Sequence, residues 1–143
     1  MPELNWIAVI VATLASFVLG AVWYSPLLFG KAWQREAGLS DEQLARGNKA
    51  RIFGLTLVLA FLAAWNFANF LGPRPPVVFG TLVGASAGLL WVAGSMGINY
   101  LFERKSFKLF AINGGYHTLQ FAIIGLVLSL LPCAECAQLP CPQ

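Results

Sequence analysis

Apolar residues in this chain form four long segments that are separated by short polar stretches. The segments cover about residues 4–24, 51–71, 77–102 and 107–131. A helix needs about 20 apolar residues to cross the hydrocarbon core of a bilayer, and each segment reaches that length. We therefore predict an all-α membrane protein in which four transmembrane helices form a single compact bundle over residues 1–132.

The polar stretch after the first segment predicts where the first helix ends and where a short helix follows. Pro26 lacks a backbone N–H and disfavours the α conformation at Ser25, so the first helix is expected to kink or stop near Tyr24. The sequence SDEQ at residues 40–43 has the spacing of a capping box and places acidic residues in a first helical turn. We expect a short cytoplasmic helix there that ends at Gly47.

Composition indicates that the natural solvent of this chain is lipid. Hydrophobic residues make up 58% of the 143 residues, charged residues make up 10%, and the mean hydropathy is +0.71. Soluble domains carry about 25% charged residues. The expected partner is therefore the lipid bilayer. The net charge of +3 lies in short loops and not in a stripe on a polar surface, which argues against nucleic-acid binding.

The distribution of lysine and arginine predicts the orientation of the helices. All of these residues except Arg74 lie in or beside the first and third loops. Loops that are rich in Lys and Arg stay in the cytoplasm. We therefore expect a multi-pass protein of the bacterial cytoplasmic (inner) membrane with both termini on the extracytoplasmic side.

Small residues recur at every fourth position in three of the four segments. These ladders are Ala8, Ala12, Ser16 and Gly20 in the first segment, Ala60, Ala64 and Ala68 in the second, and Gly80, Gly84 and Gly88 in the third. Small residues let helix backbones approach closely, which stabilises helix association in lipid. We expect these ladders to be packing surfaces, either within the chain or between copies in a homo-oligomer or a larger membrane complex.

A weak internal repeat is also visible. The sequence LFGKAW at 28–33 follows the first apolar segment, and LFERKSF at 101–107 follows the third. Two helical hairpins related by an axis along the membrane normal would produce this pattern. Chance similarity between apolar segments explains it equally well.

The lone histidine lies in the fourth segment and is the strongest candidate for chemistry. His117 is nine residues beyond Lys108, or about 13.5 Å along a helix, which places it near the middle of the bilayer. Polar groups at this depth usually face the bundle interior or a cavity. Helical periodicity groups it with the polar residues Asn113, Tyr116 and Gln120, and similar depth suggests Ser95, Asn99, Ser16 and Thr56 as companions. His117 is either part of a ligand or proton site or a neutral residue that fixes packing.

Three cysteines lie in the tail at 133–143, which we expect outside the membrane. Two of Cys133, Cys136 and Cys141 could form a disulfide, and a thiol redox role or metal binding are the alternatives. A structural disulfide is the simpler interpretation because no second cysteine pair is present to relay electrons.

No catalytic signature occurs elsewhere in the chain. The sequence contains no phosphate-binding glycine loop, no HExxH and no GxSxG. We therefore expect no enzymatic activity, no cofactor and no metal site.

Two long stretches resemble a known family. NWIAVIVATLASFVLGAVWYSPLLFGKAW near the start and NYLFERKSFKLFAINGGYH near the end are similar to the signature regions of the bacterial membrane-protein family catalogued as domain of unknown function 1761. The resemblance covers most of the chain up to about Leu131. It implies a small multi-pass membrane protein and implies no activity.

Three functions remain open from the sequence. The preferred one is a tightly packed, self-associating structural or assembly protein that uses the small-residue ladders. The second is a small-solute or ion transporter or channel that uses the polar face around His117. The third is a thiol redox protein that uses the C-terminal cysteines.

Overall fold

The structure, a computed structural model, describes residues 4–73 and 75–131. These residues form helices joined by short turns, and no strand occurs among them. The helices are α1 (Trp6–Trp23), α2 (Gly30–Ala37), α3 (Asp41–Arg46), α4 (Lys49–Leu71), α5 (Val77–Ser86), α6 (Gly94–Phe102) and α7 (Phe107–Leu130). A π-helical segment, Ala87–Ala93, joins α5 to α6. The predicted architecture is confirmed, because α1, α4, the continuous span Val77–Phe102 and α7 are each long and apolar enough to cross a membrane.

The four long helices alternate in direction, so both ends of the described chain lie at one end of the bundle. There, Asn5 Nδ2 donates a hydrogen bond of 2.9 Å to the backbone carbonyl of Leu131. We call this the opposite end. Two connections lie at the other end of the bundle: residues 24–48, which include α2 and α3, and residues 103–106. We call this the basic end because the lysines and arginines cluster there.

Side-chain caps fix the starts of the helices. A polar side chain before each of three long helices accepts a hydrogen bond from a first-turn backbone N–H: Asn5 before α1, Asn48 before α4 and Ser106 before α7. The capping box forms at Ser40, whose Oγ accepts from the Gln43 backbone N–H at 3.2 Å while Gln43 Oε1 accepts from the Ser40 N–H at 2.8 Å. The short helix α3 follows and is capped by Gly47.

The first helix stops before Pro26, as the sequence predicts. Tyr24 caps α1, and the chain then turns back sharply. The backbone N–H of Gly30 donates to the Ser25 carbonyl at 2.9 Å, and a Cβ on Gly30 would overlap the carbonyl oxygen of Tyr24. This close approach requires glycine and allows α2, a helix that the sequence did not predict, to begin at once.

The glycine ladder of the third span lies directly against the backbone of α7. A Cβ on Gly84 would overlap the carbonyl oxygen of Phe121, and one on Gly88 would overlap the carbonyl oxygen of His117. Gly80 meets Ser129 and the backbone of Gly125 in the same way. Because each glycine already contacts α7, this ladder is occupied within the chain.

The alanine ladders of α1 and α4 form the apolar core at the opposite end. Ala8, Ala12 and Ser16 on α1 are buried, as are Ala60, Ala64 and Ala68 on α4. The core cluster also contains Val9, Phe67, Ile124 and Leu128. Gly20, the last residue of the α1 ladder, is not buried in this core. It faces α7 at Tyr116 instead, where a Cβ on Gly20 would lie 3.1 Å from the tyrosine hydroxyl.

The helix α4 packs against the bundle along only part of its length. All of residues 49–59 are exposed, whereas the buried residues of this helix are Ala60, Ala64, Phe67 and Ala68. At the basic end, α4 meets α1 through the rings of Phe53 and Phe17, whose centroids are 6.2 Å apart. A space opens there between α4 and the other spans.

The π-helical segment changes which residues of the third span face α7. In a regular α-helix, Ser95 and Asn99 would lie on the same face as Gly88, each rotated from it by about 20° around the helix axis. The π turn adds a residue, so the contact face continues through Ala93 and Gly97. A Cβ on Gly114 would lie 3.2 Å from Ala93 Cβ, which shows this contact.

The relation between two helical hairpins stays a prediction. The tail at 133–143, with its cysteines, lies outside the described residues.

Candidate functional site

A cavity of about 670 Å³ fills the space between the spans at the basic end. This volume is within the range of roughly 300–1,000 Å³ that small-molecule sites occupy. Each of the four spans contributes to the wall, and α2 adds Trp33. The lining residues are Phe17, Gly20, Ala21, Tyr24, Trp33, Ile52, Phe53, Thr56, Ala60, Met96, Tyr100, Asn113, Tyr116 and His117.

A directed chain of hydrogen bonds crosses one side of the cavity. The Tyr24 hydroxyl donates to Asn113 Oδ1 at 2.8 Å, and Asn113 Nδ2 donates to the Tyr100 hydroxyl oxygen at 2.9 Å. Asn113 itself is buried. Because the Tyr100 oxygen accepts from Asn113, its own O–H remains available as a donor.

His117 and Tyr116 provide the other polar groups of the cavity. His117 Nδ1 lies 3.0 Å from Gln120 Oε1, an amide oxygen, and the tautomer with the proton on Nδ1 satisfies this contact. In the neutral ring, Nε2 is then an acceptor, and it has no hydrogen-bond partner among the described residues. The Tyr116 hydroxyl likewise bonds to no described residue. The cavity thus contains donors and an acceptor that the protein leaves unpaired.

Aromatic rings hold these polar groups in place. The Tyr24 ring packs against Trp33 at a centroid distance of 5.6 Å and against Tyr116 at 5.2 Å. The Tyr116 ring in turn lies 5.0 Å from that of His117. Trp23 Nε1 donates to the backbone carbonyl of Ile112 at 3.0 Å, which ties the end of α1 to α7.

The structure brings together part of the predicted polar face. Asn113, Tyr116 and His117 line the cavity, and Gln120 is buried behind them as the partner of His117. Of the suggested companions, Thr56 lines the cavity and donates its hydroxyl to the Ile52 carbonyl at 2.8 Å. The buried Ser16 donates to the Thr13 carbonyl at 2.9 Å and is not a lining residue.

Ser95 and Asn99 do not join this face, because both are exposed and neither lines the cavity. The π-helical segment explains the difference: the extra residue turns the face onward, and Met96 and Tyr100 line the cavity instead. A signal for this shift exists in the sequence, since the small residues run Gly88, Ala93, Gly97 with one spacing of five.

The rings of Tyr24 and Trp33 turn toward the bundle interior and line the cavity. Pro26 is the sequence signal that could have identified Tyr24 as a cavity residue, because it ends α1 and turns the chain back across the basic end.

Polar side chains fasten α2 to the start of α7 at the edge of the cavity. The Ser106 hydroxyl donates to Glu36 Oε2 at 2.5 Å, and Lys108 Nζ lies 3.9 Å from Glu36 Oε1. Because Trp33 lies on the same helix as Glu36, this contact fixes the part of the wall that α2 supplies.

The lining of the cavity carries no permanent charge. None of its residues is Asp, Glu, Lys or Arg. Across residues 4–73 and 75–131, no group of three or more His, Cys, Asp or Glu side chains could hold a metal ion. The three cysteines lie outside these ranges, so the disulfide among them, and the alternative redox role, stay predictions.

Four apolar helices and a cavity between them indicate a small multi-pass membrane protein. A family model described as "Protein of unknown function (DUF1761)" matches residues 7–129, and the chain belongs to that family. The resemblance inferred from the two signature regions is thereby confirmed. No curated protein and no solved structure matches the chain.

Proposed function

We propose that this protein binds a small molecule in the cavity at the basic end, as a small-solute carrier or receptor in the membrane. The observation that carries this proposal is a cavity of about 670 Å³ in which the Tyr116 hydroxyl and His117 Nε2 have no partner among the described residues. Every fully buried side-chain N or O atom among the described residues has a hydrogen-bond partner, so these two unpaired atoms are accessible from the cavity. A bound molecule can hydrogen-bond to both of them.

The packing at the opposite end favours binding over an open channel. A channel needs a continuous path through the bundle. Here the core cluster of Ala12, Ala64, Ile124 and Leu128 closes that end with buried side chains. Transport through this protein would therefore require the helices to separate there, whereas binding from the basic end requires no such movement.

The small-residue ladders give less support to an assembly function than the sequence suggested. Gly80, Gly84 and Gly88 contact α7 of the same chain. The alanines of α1 and α4 are buried in its core. Self-association would have to use other surfaces, and it stays a prediction.

The charge distribution supports one side of the membrane as the side from which the molecule binds. We propose that the basic end lies in the cytoplasm of a bacterial cell, because Lys- and Arg-rich loops are retained there. The cavity would then open toward the inner leaflet of the cytoplasmic membrane.

The test is to identify small molecules that co-purify with the protein. Protein extracted from its membrane in mild detergent is analysed by native mass spectrometry and by extraction of bound compounds. Ala21 is exposed and lines the cavity, so Ala21→Trp would fill part of it. Val18 lies on the same helix, is 60% exposed and is not a lining residue, so Val18→Trp is the matched control.

We expect a bound molecule on the wild-type and Val18→Trp proteins, and its loss from Ala21→Trp. An Ala21→Trp protein that retains the molecule at the wild-type level would show that it binds elsewhere. A wild-type protein without any bound small molecule would contradict the proposal.

A further inference from the structure

We infer that the molecule in the cavity is uncharged, carries a planar ring, and has a hydroxyl or carbonyl oxygen at one end of that ring. This inference rests on the proposed binding function and names the chemical class of its ligand. Three features of the cavity support this inference. They are the absence of charge in its lining, the hydrogen-bond donors and acceptors that remain unpaired, and the aromatic walls.

The absence of charge argues against an ionic ligand. Transfer of an unpaired ion from water into a low-dielectric site is strongly unfavourable, so sites for ions supply a counter-charge. Glu36, on the same helix as Trp33, is not a lining residue and already faces Lys108 at 3.9 Å. The lining therefore favours a neutral molecule.

The hydrogen-bonding groups define what the polar end of the ligand must offer. The chain from Tyr24 through Asn113 leaves the Tyr100 O–H as a donor. The Tyr116 hydroxyl can donate or accept, and His117 Nε2 accepts. A carbonyl oxygen would accept from a tyrosine, and a hydroxyl could in addition donate to the imidazole. This set matches a phenol or a ring carbonyl.

The walls of the cavity favour a ring. Its apolar surface includes Phe17, Phe53 and Trp33, together with the faces of the tyrosines. Aromatic rings pack against one another in offset or edge-to-face geometry, which contributes about 0.5–1.5 kcal/mol per pair beyond the burial of area. A flexible acyl chain would gain no such directional contact.

The position of α4 supplies a route from the bilayer. Its residues 49–59 are exposed, and Ile52, Phe53 and Thr56 among them form one wall of the cavity. An uncharged ring compound dissolves in the membrane. It can therefore reach the site between α4 and its neighbours without passing through water.

The experiment compares three probes that share one ring system. Wild-type protein in lipid nanodiscs is equilibrated by dialysis with 2-naphthol, 2-naphthoate or naphthalene at pH 7, and empty nanodiscs of the same lipid measure partition into the bilayer. Naphthol is neutral and has a hydroxyl, naphthoate is an anion, and naphthalene has the ring alone. We expect saturable binding above the empty nanodiscs in the order naphthol, then naphthalene, then naphthoate.

Removal of one hydroxyl tests the polar end. Tyr116→Phe keeps the ring and removes the unpaired hydroxyl, so naphthol should bind roughly three- to tenfold more weakly, as expected for one hydrogen bond. Naphthalene binding should not change. Thr81→Val is the control, because Thr81 is on α5 outside the lining, where its hydroxyl donates only to the Val77 carbonyl.

Several results would overturn the inference while leaving the binding function intact. These are tighter binding of naphthoate than of naphthol, equal binding of naphthol and naphthalene, or an intact phospholipid as the co-purified molecule. Failure of the binding function itself looks different: no probe exceeds empty nanodiscs, and no small molecule co-purifies with the wild-type protein.

Discussion

Replacement of Gly84 by alanine should destabilise the bundle, because there is no space for one more methyl group where the third span meets α7. A Cβ at this position would overlap the carbonyl oxygen of Phe121 and lie 3.2 Å from Ala122 Cα. Both neighbours are backbone atoms, so rotation of a side chain cannot relieve the contact. The two helices must move apart instead.

The expected size of the effect follows from two opposing contributions. Overpacking a well-filled contact costs about 1–3 kcal/mol. Alanine in a helix interior is more favourable than glycine by roughly 0.5–1 kcal/mol. We therefore expect Gly84→Ala to lower the free energy of unfolding by about 1–2 kcal/mol.

Gly54→Ala is the matched control. This glycine is also inside a long helix, α4, but no described atom lies within 4 Å of the position that its Cβ would take. The variant should be as stable as wild type, or more stable by up to about 1 kcal/mol. The assay is reversible unfolding by sodium dodecyl sulfate in mixed micelles, followed by tryptophan fluorescence. Equal stabilities for the two variants would refute the close packing of Gly84 against α7.

Three further outcomes follow from the structure. Tyr24→Phe removes the hydrogen bond to Asn113 and should lower the free energy of unfolding by about 1 kcal/mol in the same assay; an unchanged value would contradict the chain of hydrogen bonds. Glu36→Gln weakens the contact of α2 with Lys108, so limited proteolysis at residues 24–48 should be faster than in wild type, and an equal rate would count against that contact. A periplasm-only reporter fused to Gln143 should be active, whereas activity of a cytoplasm-only reporter there would reverse the orientation.

Much of the fold was predictable because lipid imposes simple rules on sequence. Segments of about 20 apolar residues must be helical, since their backbone groups have no water to bond with. Pro26 correctly indicated the end of α1, and the spacing of Ser40 and Gln43 correctly indicated the start of α3. These are local features, so a single sequence contains them in full.

The arrangement of the cavity was only partly predictable, because it depends on how the spans pair. The polar residues Asn113, Tyr116 and His117 follow from the periodicity of one helix. Their depth on α7 could be estimated, but the separation of α4 at the basic end could not. Nothing in the exposed residues 49–59 distinguishes a wall of a cavity from a surface in contact with lipid.

A single irregular turn accounts for the outward position of Ser95 and Asn99, which similar depth suggested as companions of His117. Estimates of helical phase assume about 100° per residue, and the π-helical segment Ala87–Ala93 breaks that assumption in the third span. Ser95 and Asn99 consequently turn outward, and Tyr100 takes the inward position. The segment begins and ends without any proline, so its only trace in the sequence is the altered spacing of small residues.

A crystal structure from crystals grown in a lipid phase, with protein purified with its native lipids, would show directly whether a small molecule occupies the cavity. We expect α4 to stand away from α7 at the basic end, and electron density for a small molecule to fill the cavity within about 3 Å of the Tyr116 hydroxyl or His117 Nε2. A structure in which Thr56 and Phe53 pack directly on Tyr116 and His117, with no space between the helices, would contradict this expectation.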